Sequence, residues 1–252
     1  MMRRALVTGA ASGLAAAVAA ALPRDGFEHV SITYRATPPD ATLAAIRGAG
    51  ATAAAERIDF LDDGDAVAKA LDHLVRGTGP FDTLVHGVGP LAVKRFERLT
   101  DRDYREVFDG NLRSAVAAAR AVLPAMQSGG FGRIVFFAML GSNETRPFRG
   151  FAFYQAAKSG LVAFARCLAL EQARFGITVN LVAPGDIRDK TLTLEQARAR
   201  TANNPRGRPG TAADVADAVR FLVARERDFV TGAVLDVTGG AMQADERNEP
   251  GP

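Results

Sequence analysis

The stretch ALVTGAASGLAAAVAAAL, residues 5–22, decides the fold. Ala5–Val7 has the composition of a short buried strand. A glycine-rich turn then breaks the run, and an alanine-rich helical segment follows from Gly13 to Leu22, stopped by Pro23. A strand that passes through such a turn straight into a helix aims backbone N–H groups and the positive helix end at one point, which suits an anion. The alternative for the turn alone is a plain tight loop, so its meaning rests on its surroundings.

Outward from this stretch the same unit recurs. Apolar runs at Val30–Tyr34, Thr83–His86, Ile134–Ala138, Thr178–Val182 and Ala233–Val237, with a weaker alanine-rich one at Ala51–Ile58, have strand character. Between them, helical spacing occupies Ala41–Gly48, Asp65–Arg76, Asp101–Met126, Phe153–Arg174 and Ala212–Ala224. Strands alternating with helices of this length predict βαβ units and a parallel sheet covered on both faces. The expected fold class is α/β, a doubly wound (Rossmann) seven-stranded parallel sheet in a single domain over residues 1–244. Two segments differ. Residues 188–209 are polar and arginine-rich, a mobile excursion with a short helix around Leu194–Arg200, and the charged residues 245–252 have the composition of a frayed tail.

The 252 residues suffice for one large domain with a substantial core. Hydrophobic residues at 48% and charged residues at 23% are ordinary for a soluble globular chain. The formal net charge is only +3 and no dense Lys/Arg run occurs, so neither nucleic acid nor membrane is an expected partner. The cations are mostly arginine, with lysine only at Lys69, Lys94, Lys158 and Lys190. A single cysteine, Cys167, excludes an internal disulfide and fits a reducing compartment. Leu14–Leu22 is too short to span a bilayer and lacks a cleavage-site pattern. A cytoplasmic protein without a metal is expected.

The stretch FFAMLGSNETRPFRGFAFYQAAKSG, residues 136–160, carries the chemistry. Tyr154 and Lys158 are four apart and share one face of a helix. A nearby ammonium favours phenolate and pulls a tyrosine down from about 10, which suits proton exchange with a carbonyl or alcohol oxygen. In a chain with so few lysines, coincidence is a poor account of this pair.

Together these features resemble the short-chain dehydrogenase/reductase family over nearly the whole chain, from Thr8 to Gly240. The turn TGAASGLA at residues 8–15 is similar to that family's TGxxxGxG motif, with Ala15 at the last glycine, and Tyr154 and Lys158 match its YxxxK motif. The resemblance implies a nicotinamide dinucleotide held by Gly9, Ser12, Gly13, Leu14 and Gly87. It also places Asp59 at the adenine, with a turn-forming aspartate as the alternative, Pro184, Gly185 and Ile187 at the nicotinamide, and Tyr154 and Lys158 on the ribose side. No carboxylate stands at the tip of the second strand, whereas Arg35 can pair with a 2′-phosphate, so NADP(H) is expected over NAD; the alternative for Arg35 is a solvated surface cation.

The resemblance further implies that Asn111 distorts its helix and supports a proton relay beside Lys158, with a helix-boundary cap as the competing reading. Besides Ala15, the chain departs from the family in two further places. His86 stands in the sequence HGVG where the family shows NNAG, a packing or hydrogen-bonding residue rather than a base. Met139 falls where the family's serine donor belongs. Ser142 is the expected substitute, with Asn143 and Thr145 as other candidates. Within the family the chain resembles the 3-oxoacyl-[acyl-carrier-protein] reductase branch. That implies a small-molecule or carrier-bound carbonyl substrate, an excursion acting as a lid, and a homodimer or homotetramer. The alternative is a catalytically weakened NADP(H)-binding sensor or partner protein.

Overall fold

The computed structural model describes residues 3–185 and 187–241; the tail at 245–252 lies outside the described residues. Seven strands form one parallel sheet in the order β3-β2-β1-β4-β5-β6-β7. They are β1 (Arg3–Thr8), β2 (Phe27–Tyr34), β3 (Thr52–Arg57), β4 (Thr83–His86), β5 (Gly132–Phe137), β6 (Ile177–Pro184) and β7 (Val234–Val237). The alanine-rich third strand is real, although Ala53–Ala55 bury little surface, because β2 supplies its backbone partners.

Strand alternation divides the core between the two faces of the sheet. Leu6, Leu84, Ile134 and Val179 pack on one side beneath α3 (Gly64–Thr78), α5 (Ser114–Gly129) and α6 (Ala152–Gln172). Val7, Val85, Val135 and Val182 pack on the other beneath α1 (Gly13–Ala21), α2 (Asp40–Gly48) and α8 (Ala212–Val223). Both faces being covered explains why the strands are near-continuous apolar runs. The strand order reverses between β1 and β4, and in open sheets of this kind the crevice at that switch point takes ligands.

The long helix expected over 101–126 is interrupted. α4 (Asp101–Phe108) and α5 are joined by a π-helical turn, Asp109–Arg113. The cause is Asn111, whose side-chain Nδ2 donates to Val107 O at 2.8 Å and so competes for a carbonyl of the preceding helical turn. The excursion after β6 holds α7 (Leu194–Arg198), two residues shorter than expected and started by a capping box from Thr193 and Gln196. Among the described residues, no helix is long and apolar enough to cross a membrane.

Candidate active site

The glycine-rich turn sits at the carboxyl end of β1, with Gly9 at φ +67° and Gly13 at φ +71°. These are left-handed conformations that favour glycine. The turn is tied to β2 by the Gly9 N–H donating to Thr33 Oγ1 at 3.1 Å and the Ala10 N–H donating to Thr33 O at 2.9 Å. Ser12 stands at the N-cap of α1 without capping it, and no acidic residue occupies the first turn. The first N–H groups of α1 are therefore available to an anion.

Across the switch point, residues 87–89 approach this turn closely. A Cβ on Gly9 would lie 3.1 Å from Val88, and one on Gly87 would lie 2.5 Å from the Ala15 methyl. A cavity of about 300 Å³ opens there, lined by Gly9, Arg35, Asp59 and Gly87 among others. Arg35 and Asp59 are not independent: Arg35 Nε donates to Asp59 Oδ2 at 3.0 Å, while Asp59 Oδ1 accepts from the Leu61 N–H. Arg57 donates from Nε to the backbone oxygen of Arg35 at 3.0 Å, holding the chain at that strand tip.

A larger cleft of about 650 Å³ runs from Gly9, Ser12, Gly13 and Leu14 to Tyr154 and Lys158, and on to Pro184, Gly185 and Ile187. Tyr154 and Lys158 stand one turn apart on α6, with Lys158 Nζ 5.5 Å from the Tyr154 ring centroid. Lys158 is 2% exposed and donates to Phe137 O at 2.5 Å. Burial lowers this lysine to about 7 and raises the Tyr154 hydroxyl to about 12. The expected pull of the ammonium on the tyrosine is thus outweighed: burial disfavours the charged form of both groups.

Asn111 is fully buried, and its Nδ2 donates to Pro90 O at 2.9 Å as well as to Val107 O. Its Oδ1 has no hydrogen-bond partner. That oxygen and Lys158 Nζ converge over Gly89, at 2.9 Å and 3.2 Å from where a Cβ on that glycine would stand. A buried acceptor beside a buried ammonium is a place for a polar atom that both can bind.

His86 is 1% exposed and joins two parts of the site. Ser114 Oγ donates to Gly110 O at 2.7 Å, leaving it to accept from His86 Nε2 at 2.9 Å. His86 Nδ1 then accepts from Thr8 Oγ1 at 2.8 Å, and Thr8 Oγ1 accepts from the Gly87 N–H at 3.3 Å. One chain of hydrogen bonds thereby connects the turn after β4 to the π-helical turn that carries Asn111. Burial, and secondly the charge of Lys158, lower His86 to about 3, so it is a neutral strut.

Part of the cleft's lining is an apolar wall of Met139, Leu140, Phe148 and Phe151. Ser142 does not line it. Its hydroxyl, 2% exposed, donates to Met139 O at 2.8 Å and accepts from the Met139 N–H at 3.3 Å. In this conformation the expected substitute donor is turned into its own loop. Asn143 Oδ1 accepts from Arg166, the Thr145 hydroxyl donates to Glu144 O, and neither residue lines this cleft.

A family profile described as Enoyl-(Acyl carrier protein) reductase matches residues 9–242, and a solved short-chain dehydrogenase/reductase of Serratia marcescens superposes with a TM-score of 0.83. The chain belongs to the short-chain dehydrogenase/reductase family. The Serratia protein is 28% identical and covers 95% of this chain and 98% of its own. The 3-oxoacyl-[acyl-carrier-protein] reductase of Escherichia coli (strain K12) is 33% identical over 239 residues, 94% of this chain and 96% of that protein. A solved actinorhodin polyketide ketoreductase with NADPH has a TM-score of 0.84 at 31% identity, covering 96% and 98% of the two chains.

Within the short-chain dehydrogenase/reductase frame, the structure brings Tyr154, Lys158 and Asn111 together and sets Ser142 apart. The signal for the His86 strut was present in the sequence as the departure HGVG. Its partners, Thr8 and Ser114, lie 78 and 28 residues away and are supplied only by the fold.

Proposed function

We propose that the protein is an NADPH-dependent carbonyl reductase acting on a 3-oxoacyl thioester to give the 3-hydroxyacyl form. The observation that carries this reading is the convergence of Tyr154, Lys158 and the free oxygen of Asn111 on one cleft floored by Gly9, Gly87 and Gly89. These residues fit a dinucleotide: glycine at 9 and 87 lets the turns after β1 and β4 pack closely, and a Cβ on Gly89 would crowd Asn111 Oδ1 and Lys158 Nζ. Gly9, Ser12, Gly13 and Leu14 hold the diphosphate, Asp59 and Gly87 the adenosine, and Pro184, Gly185 and Ile187 the nicotinamide. Arg35 meets the 2′-phosphate through charge-assisted hydrogen bonds.

Held by these residues, a reduced nicotinamide would supply the hydride for a carbonyl carbon. Tyr154, held protonated by burial, donates its proton to the carbonyl oxygen. Lys158 holds the ribose and returns a proton to Tyr154, and Asn111 Oδ1 supports that return. With Met139 at the usual serine position, Tyr154 is the main donor to the developing negative charge. Absence of one such donor typically slows a reaction by about 10²–10³. The apolar wall of Met139, Leu140, Phe148 and Phe151 accepts an acyl chain. The excursion 188–209 closes over it as a lid and excludes water.

Exposed Leu170 and Phe229 support self-association as a homodimer or homotetramer, and a cytoplasmic location fits the lone Cys167. A second reading draws on the closed Ser142 hydroxyl: an NADP(H)-binding sensor or partner protein that no longer turns over. NADPH oxidation with a short 3-oxoacyl thioester separates the two. Turnover supports the reductase, and saturable NADPH binding without turnover of any ketone supports the sensor.

A further inference from the structure

Lys190 lies at the start of the excursion after β6, and its neighbours fix its turn. Asp189 Oδ1 accepts from the Thr191 N–H at 3.0 Å and from the Thr191 hydroxyl at 2.7 Å, and Arg200 reaches Asp189 Oδ2 at 3.8 Å. From there the lysine crosses the mouth of the cleft to the glycine-rich turn. A Cβ on Gly13 would lie 3.2 Å from Lys190 Cδ and 3.9 Å from its Nζ. Lys158 is bound to a carbonyl and Lys94 is paired with Asp103, but Lys190 makes no hydrogen bond or ion pair among the described residues.

We propose that Lys190 is the cation that neutralises the dinucleotide's diphosphate, and that it does so from the lid, so that cofactor binding and lid closure are one event. This rests on the dinucleotide reading above. The amino end of α1 offers about half a positive charge, whereas a diphosphate brings two negative ones. A lysine is a compact point charge on a flexible stem and suits this role. Because Lys190 is exposed, its contribution is screened by salt.

The experiment is titration of the wild type, Lys190→Ala and Lys190→Arg with NADPH, followed by nicotinamide fluorescence. Adenosine 2′-phosphate, which lacks the diphosphate, serves as a competing control. At low salt, Lys190→Ala weakens NADPH binding about ten-fold and Lys190→Arg retains most of the affinity. The gap narrows at high salt, and adenosine 2′-phosphate binds both variants as it binds the wild type. NADPH also slows tryptic cleavage after Arg198 and Arg200 in the wild type but not in Lys190→Ala. Equal NADPH affinities for wild type and Lys190→Ala would overturn the role of Lys190 alone, as would a parallel loss for adenosine 2′-phosphate. A wild type that binds no dinucleotide would overturn this inference together with the proposed function.

Discussion

The methyl group of Ala15 fills the space that a side chain at Gly87 would enter, since a Cβ there would lie 2.5 Å from it. Ala15, at the last glycine of TGxxxGxG, and Gly87, in HGVG, therefore constrain each other across the α1–β4 contact. Gly87→Ala is expected to destabilise the fold by about 1–3 kcal/mol through overpacking. Ala15→Gly in the same chain restores part of that loss. The backbone oxygen of Thr8, 2.9 Å from the same Cβ, keeps the rescue incomplete. A double-mutant cycle by denaturant unfolding measures the coupling, and additive effects would show that the pair does not interact.

Met139 and Ser142 give opposite expectations. Met139→Ser places a hydroxyl in the cleft that Tyr154 also lines and raises turnover of a carbonyl substrate about ten-fold or more. Ser142→Ala removes a hydroxyl engaged with Met139 O, lowering stability by about 1 kcal/mol and leaving turnover unchanged. Steady-state rates of the two variants check this, and collapse of activity in Ser142→Ala would restore that serine as the donor.

Arg35 carries the cofactor preference in this account. Arg35→Ala weakens NADPH by about 10- to 100-fold, the loss of charge-assisted bonds to a phosphate, and leaves NADH unchanged. Because Asp59 loses its partner at the same time, Arg35→Lys is the useful companion: it keeps a charge near Asp59 without the fork. Paired NADPH and NADH titrations give the answer, and an unchanged ratio would assign the preference elsewhere.

His86 makes stability depend on acid. The folded chain keeps it neutral down to about 3, whereas an unfolded histidine protonates near 6.5, so the unfolded chain binds more protons between those values. Stability present above 6.5 falls as pH drops below it, with a limiting slope of about 1.4 kcal/mol per pH unit from this group. His86→Gln is less stable at neutral pH and has a shallower acid slope. Chemical denaturation between pH 7 and 4 tests this, and identical slopes in both proteins would remove His86 from the account.

The sequence made the architecture legible where each signal was local. The glycine turn at residues 8–15, the alternation of short and long apolar segments, and the Tyr154–Lys158 spacing all depend on neighbours within a few residues. The π-helical turn was legible only through the resemblance, which implied that Asn111 distorts its helix; helical periodicity itself continues from Asp101 through Met126. The direction of the Ser142 hydroxyl depends on a turn at Gly141 with φ +78°, which composition does not encode. Tyr154 is raised rather than lowered because burial is a property of the assembled cleft. The Arg35–Asp59 pair joins the tips of two adjacent strands, so each residue alone supported only a separate role.

The most direct measurement is NADPH oxidation by the purified protein with a short 3-oxoacyl thioester, wild type against Tyr154→Phe. Measurable turnover is expected in the wild type and its collapse in the variant, by about 10²-fold or more, with NADPH affinity preserved. Equal turnover in the two proteins would contradict Tyr154 as the proton donor and with it the chemistry assigned to this cleft.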